Sequence, residues 1–162
     1  MRRKIINNTL FISVLAILAL NCTRSKNILF TDTAVMPNAT WSLSDNPDFR
    51  ININDSTIRT NVFFNIRTGS KYPFRNIWLF VTAISPNGKI SVTDTLQYDL
   101  ADEKGRWYGK GFGDIHEMKL PYRQNVFFPA KGTYHFKIQH GMRTGDLKGV
   151  YDIGIRIEKT GR

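Results

Sequence analysis

The stretch Asn76-Ile-Trp-Leu-Phe-Val-Thr-Ala-Ile-Ser85 is apolar on both of its alternating faces, and Pro86-Asn87-Gly88-Lys89 follows it at once. An apolar run of this length bounded by turn residues reads as a central strand. Gly88 supplies the positive φ of a tight hairpin, so Ile90–Tyr98 is expected to return antiparallel. Working outward, the same period of two recurs. Phe49, Ile51 and Ile53 alternate with Arg50, Asn52 and Asn54. Ile58, Thr60, Val62, Phe64 and Ile66 form a second set. Val126–Phe128 reads as a short strand. Thr133–Met142 places Tyr134, Phe136, Ile138, His140 and Met142 on one face. Val150–Lys159 does the same with Tyr151, Ile153, Ile155 and Ile157. Alternation of this kind is the signature of half-buried strands. Seven or eight short strands are expected, with one helical turn allowed at Leu100–Lys104. The fold class is all-β: a single antiparallel sandwich, Ig-like or jelly-roll-like.

The chain has 162 residues, enough for one domain with a real core and not for two. Its N-terminus reads as an address. Arg2, Arg3 and Lys4 precede Leu10–Leu20, an uncharged apolar run too short to span a bilayer. Cys22, the only cysteine, follows directly and resembles the lipid-accepting residue of a bacterial lipobox, although Asn21 stands where a small residue is usual. One cysteine also excludes a disulfide framework and a cysteine-rich zinc site. The expected organisation is a signal peptide over 1–21, a lipidated N-terminus and tether over 22–41, and the sandwich over 42–162. Lys+Arg number 23 against 13 Asp+Glu, a formal +10. The signal peptide holds three of the cations, so the mature chain carries +7. Charge of this sign suggests nucleic acid or anionic membrane. Export removes the first and leaves anionic lipid, an acidic protein partner or glycan.

Three places invite chemistry. Gly105-Arg-Trp-Tyr-Gly-Lys-Gly-Phe-Gly-Asp114 has neither the spacing of a phosphate loop nor a following helix pattern. It does interleave Trp107, Tyr108 and Phe112 with Arg106 and Lys110, a mixture of rigid aromatic area and cations that suits binding. These five residues are the candidate partner-binding loop. Stacking of a sugar on Trp107 and Tyr108 would instead make the domain a glycan- or peptidoglycan-binding module. Asp114, His116 and Glu117 lack metal-site spacing and are expected to cap turns or pair with Lys119 or Arg123, so no metal and no catalytic residue is assigned. Asp94 falls in phase with an apolar face and needs an arginine, turn amides or a bulge to satisfy it. His140, a core histidine expected to be satisfied, and Arg156 complete a structural network with it.

These residues also carry a family pattern. Pro86-Asn-Gly88, Asp94-Thr-Leu96, Leu100-Ala-Asp102 and Gly105-Arg-Trp107 come in order. Gly109-Lys-Gly-Phe-Gly-Asp-Ile115, Phe128-Pro129, Gly132-Thr-Tyr-His-Phe136, Met142-Arg143 and Asp152-Ile-Gly-Ile-Arg-Ile-Glu158 continue the series, with Met36-Pro-Asn38 and Trp41 upstream. Together they resemble the gliding-motility lipoprotein GldH family of Bacteroidetes. The resemblance implies a non-enzymatic envelope lipoprotein that serves the gliding and type IX secretion machinery through protein contacts. It implies no cofactor beyond the diacylglyceryl and N-acyl groups expected on Cys22. The stretch Thr23-Arg-Ser-Lys26 lacks the acidic pair that resembles a surface-export signal, which favours the periplasmic face.

Overall fold

A computed structural model describes residues 27–161; the expected signal peptide and Cys22 lie outside the described residues. The strands are β1 (Ile28–Val35), β2 (Thr40–Ser42), β3 (Asp48–Ile53), β4 (Thr60–Gly69), β5 (Asn76–Ile84) and β6 (Ser91–Asp99). They continue with β7 (Lys110–Phe112), β8 (Ile115–Val126), β9 (Gly132–His140), β10 (Asp146–Lys148) and β11 (Val150–Lys159). Two antiparallel sheets, ordered β1-β11-β4-β8-β7 and β3-β9-β5-β6, pack as a sandwich, and β2 pairs with β10 beside them. The hairpin read from Pro86–Lys89 forms, with Ile84 opposite Ser91 and Gly88 at φ 68°. Strand β5 is central, flanked by β6 and β9.

The alternation places the core as expected. Val62, Phe64 and Ile66 from β4 and Ile153, Ile155 and Ile157 from β11 face Ile77, Leu79 and Val81 from β5 and Tyr134, Phe136 and Ile138 from β9. All twelve are buried, and full burial of one such side chain contributes about 1.5–3 kcal/mol.

Four expectations are corrected. Residues 28–41 are not a tether. β1 pairs with β11 along its length, and Met36 and Trp41 are core residues. Only Ile28, Phe30 and Ala34 of β1 turn inward, and Asp32 interrupts them, which hides the period. Secondly, the expected Val126–Phe128 strand is not a separate element: Val126 ends the twelve-residue β8, and Phe127 and Phe128 lie in the connection after it. Pro121 lies within β8, where the strand has β4 on one side and an open edge on the other. The Pro121 carbonyl accepts a hydrogen bond from Tyr98 Oη at 2.8 Å, so its missing N–H is on the unladdered side. Thirdly, Leu100–Lys104 forms no helical turn. Asp102 Oδ1 accepts from the backbone N–H groups of Lys104 and Arg106 and closes a loop instead. Finally, a register shift between Val150 and Asp152 takes Tyr151 off the face shared by Ile153, Ile155 and Ile157.

The strands all run between two ends, which fixes where the loops lie. Asn27 is at one end: its carbonyl accepts from the Lys159 N–H, and the Arg59 carbonyl accepts from the Thr160 N–H. The Pro86–Lys89 turn and the Val126–Gly132 connection share this near end. The far end holds the β7–β8 hairpin, the Asp99–Tyr108 loop and the β2–β10 pair. β4 alone, with ten residues at about 3.3 Å each, separates the ends by roughly 33 Å.

Candidate functional site

The candidate loop is half structural and half free. Trp107 pairs with Ala101 through a β-bridge and lies flat on His116, ring centroids 5.1 Å apart at 12°. Tyr72 also packs on it at a tilt, ring centroids 6.1 Å apart. Arg106 is tied back, its Nε donating to Asp102 Oδ2 at 2.7 Å. The Arg106 backbone and side chain together hold the Asp102 carboxyl below its ordinary pKa. Trp107 and Arg106 therefore brace the loop. Tyr108 is 61% exposed and Phe112 is 97% exposed. Lys110 is exposed too, and its register partner across the hairpin is Glu117.

The glycines explain how Phe112 comes to stand in water. Gly111 lies opposite His116, where a Cβ would run into the Ile115 carbonyl and sit 2.7 Å from His116 Nδ1. Gly113 turns the chain at φ 61°, so the hairpin closes in two residues, with Phe112 opposite Ile115. Tyr108, Lys110 and Phe112 thus form an exposed patch on a fixed hairpin. The flat Trp107–Tyr108 platform that sugar stacking requires is not assembled, because His116 covers a face of Trp107.

Strand alternation splits the acid-and-histidine group: His116 points toward Trp107, while Glu117 lies on the opposite face of β8. Lys119 and Arg123 serve other carboxylates, Glu158 and Asp94, rather than Asp114 or Glu117. Among the described residues no three His, Cys, Asp or Glu side chains converge as metal ligands.

Asp94, His140 and Arg156 occupy three separate places and do not form one network. Asp94 Oδ2 accepts from Tyr122 Oη at 2.6 Å and from Arg123 at 2.7 Å, which ties β6 to β8 across the open side of the sandwich. Tyr98 Oη bridges the same two strands, and burial pushes its pKa up to about 12. Arg156 donates to Glu158 on the outer face. Burial works against the Glu158 charge, but Lys119 and Arg156 together bring its pKa below the ordinary value. His140 is fully buried edge-on to Trp41, centroids 5.4 Å apart, and neither ring nitrogen has a hydrogen-bond partner. It is a core histidine, but an unsatisfied one.

Burial holds the His140 pKa below its ordinary 6.5, with the backbone of Trp41 and Gly145 offsetting part of the effect. The unfolded chain takes up that proton near pH 6.5, and the folded chain does not. Its stabilising contribution is complete above that pH and declines as the pH falls below it. His140→Leu is expected to flatten this acid limb in thermal melts between pH 8 and pH 5 without lowering stability at pH 8, since two unpaired nitrogens leave the core. An acid limb as steep as the parent's would locate the sensitivity elsewhere.

Comparison with known proteins bears on this arrangement directly. A family model described as GldH lipoprotein matches residues 28–157, the stretch from the first strand into the last. The chain belongs to the GldH lipoprotein family. A gliding motility lipoprotein GldH homolog from Christiangramia forsetii is 39% identical over 127 residues, covering 74% of this chain and 78% of that protein. The gliding motility lipoprotein GldH of Flavobacterium johnsoniae is 34% identical over 161 residues, covering 95% of this chain and 98% of its own. A solved structure of carbohydrate-binding modules from the β-sandwich superfamily superposes with a TM-score of 0.29 and 11% identity over 80% of this chain and 55% of that one. At that score the superposition carries no argument about ligands. The GldH match begins at Ile28, where β1 begins, so the family unit includes the strand that the sequence pattern hid.

Proposed function

We propose that this GldH-family chain is a non-enzymatic accessory of the gliding and type IX secretion machinery, held to the periplasmic face of a membrane through acylated Cys22. In this reading it meets a protein partner through the far-end hairpin. One observation carries the reading: Phe112, 97% exposed, stands on a two-residue hairpin beside exposed Tyr108 and Lys110. Aromatic side chains on a rigid support lose little entropy on docking, and they dominate the energetics of many interfaces. The hairpin also lies at the opposite end from Asn27, so an anchor on Cys22 leaves it facing away from the bilayer.

Tyr108→Ala combined with Phe112→Ala is expected to leave the folded protein's stability within about 0.5 kcal/mol of the parent, because neither side chain belongs to the core. The same protein is expected to lose the envelope partners that crosslink to the parent, and to lose gliding or secretion with them. Unchanged partners and unchanged motility in that folded double variant would exclude the hairpin.

A further inference from the structure

The near end gathers exposed apolar side chains around a cleft. Ile90 and Phe127 are 51% and 46% exposed, and Val92 stands beside them, also exposed. Behind these three an apolar cleft of about 270 Å³ opens between the sheets, walled by Val62, Tyr122, Phe128, Tyr134 and Phe136. Contiguous exposed apolar area of this kind marks a surface that something covers.

Cations surround it. The Arg59 guanidinium lies 4.3 Å over the Phe127 ring and donates to the Asn125 carbonyl. Arg123 lines the cleft. Lys89 sits in the β5–β6 turn, Lys131 in the connection before β9, and Lys159 at the end of β11. The carboxylates nearby are few among the described residues. Asp55 is within electrostatic reach of Lys131 and Lys159, Asp94 is held by Arg123, and Glu158 by Lys119 and Arg156. The far end carries Asp45, Asp99, Asp102, Glu103, Asp114 and Asp146. The far end answers those six carboxylates with seven cations, Lys71, Arg75, Lys104, Arg106, Lys110, Arg143 and Lys148, so what marks the near end is five cations against three carboxylates around exposed apolar side chains.

Covalent geometry says what the near end faces. Asn27, the first described residue, lies at that end. Four residues lie between it and Cys22, and those five Cα-to-Cα steps reach at most about 18 Å. An acyl anchor on Cys22 keeps the near end within that distance of the bilayer.

We infer that the near end is a docking surface for an anionic bilayer, with Phe127, Ile90 and Val92 entering the headgroup layer and Arg59, Lys89, Lys131 and Lys159 on lipid phosphates. The inference rests on the acylated-Cys22 reading given above. Docking covers the mouth of the cleft with lipid rather than water. It also stands the strands along the membrane normal, so the anchor fixes the orientation of the domain as well as its location. Each cation near an anionic surface favours the docked state by roughly fivefold, an effect that salt screens.

The test uses the full lipidated protein with one introduced cysteine, since the native cysteine carries the lipid. A nitrobenzoxadiazole label goes on Ala130→Cys at the near end or on Asp114→Cys at the far end. Each protein is reconstituted into phosphatidylcholine vesicles with and without phosphatidylglycerol. In anionic vesicles the label at position 130 is expected to shift to the blue and to be quenched by spin-labelled lipid, while the label at 114 reports water. The response at 130 is expected to weaken in phosphatidylcholine alone. It should also fall on Phe127→Ala and by at least about 25-fold in docked population on Lys89→Glu with Lys131→Glu. A protein that floats with the vesicles but shows position 130 as wet as position 114 overturns the docking surface and leaves the anchor standing. An equal response with and without phosphatidylglycerol overturns the charge selectivity. A protein that does not float at all overturns the anchor, and the docking surface falls with it.

Discussion

Replacing Trp41 by alanine is expected to destabilise the protein by about 3–5 kcal/mol, the usual range for removing a large aromatic from a core. In a domain of this size that is a fall in melting temperature of more than about 10 °C. Trp41 is fully buried, packs on His140, and donates from Nε1 to the Asp45 carbonyl at 2.8 Å. Its strand pairs with β10, where Leu147, the residue opposite, is also buried. The Gly145 carbonyl accepts from the Leu43 N–H, so Trp41 also seats the Gly141–Gly149 segment. Collapse around the lost indole is limited, because the three-residue strands β2 and β10 hold each other and Leu43 is tied to Gly145 beyond their end. Trp41→Phe keeps most of the apolar contact and loses the indole hydrogen bond, so it is expected to cost much less. A residue in a mere tether would change stability by no more than about 0.5 kcal/mol. Melting and urea titration of the Trp41→Ala protein decide between the two, and a change that small would return residues 28–41 to the tether.

That prediction marks where the sequence was legible and where it was not. Strands buried on one whole face announced themselves: Phe49, Ile51 and Ile53 alternate without interruption, and so do Tyr134, Phe136 and Ile138. The β5–β6 hairpin was legible because Gly88 and its neighbours leave few alternatives. Edge elements were not. β1 needs only three inward side chains, and Asp32 breaks their period. β2 is three residues around one tryptophan, with no pattern for periodicity to detect. β8 was obscured by Pro121, whose tolerance depends on an open edge that only the sheet order reveals. The candidate loop shows the same limit. Composition marked Arg106, Trp107, Tyr108, Lys110 and Phe112 together, yet only tertiary contact separates the bracing Trp107 from the free Phe112. His116, the residue that makes the distinction, stands out in the sequence only as a neighbour of Asp114 and Glu117, with nothing to tie it to Trp107. The near-end surface is invisible in the sequence because Arg59, Ile90, Phe127 and Lys131 are scattered along it and meet only where three connections converge.

Asp94→Ala is the second substitution expected to act strongly, with a cost of about 2–3 kcal/mol. Asp94 lies in phase with Leu96 and Tyr98 on the inward side of β6, and its carboxylate is the shared acceptor of Tyr122 Oη and the Arg123 guanidinium. Removing it leaves a part-buried hydroxyl without its acceptor and an arginine without its partner, and an orphaned group costs more than the bond itself contributes. Asp94→Asn keeps an acceptor for Tyr122 and gives up the charge, so it is expected to lose about half as much. Tyr122→Phe removes the donor and the need for it together, and combined with Asp94→Ala it should recover part of the loss. A coupling energy near zero in that cycle would dissolve the bridge.

The pH dependence follows from the same geometry. Burial first, and then the Asp94 carboxylate, raise the Tyr122 pKa above its ordinary 10.0. A raised pKa favours the protonated, donating hydroxyl in the fold. The stabilisation is therefore complete below pH 10 and is lost as the pH rises through and beyond it. Alkaline titration of the folded protein is expected to unfold it from about pH 10 upward, with a shallower limb in Tyr122→Phe. If Asp94→Asn instead leaves the melting temperature untouched and abolishes gliding, the carboxylate belongs to a working surface rather than to the seam between β6 and β8.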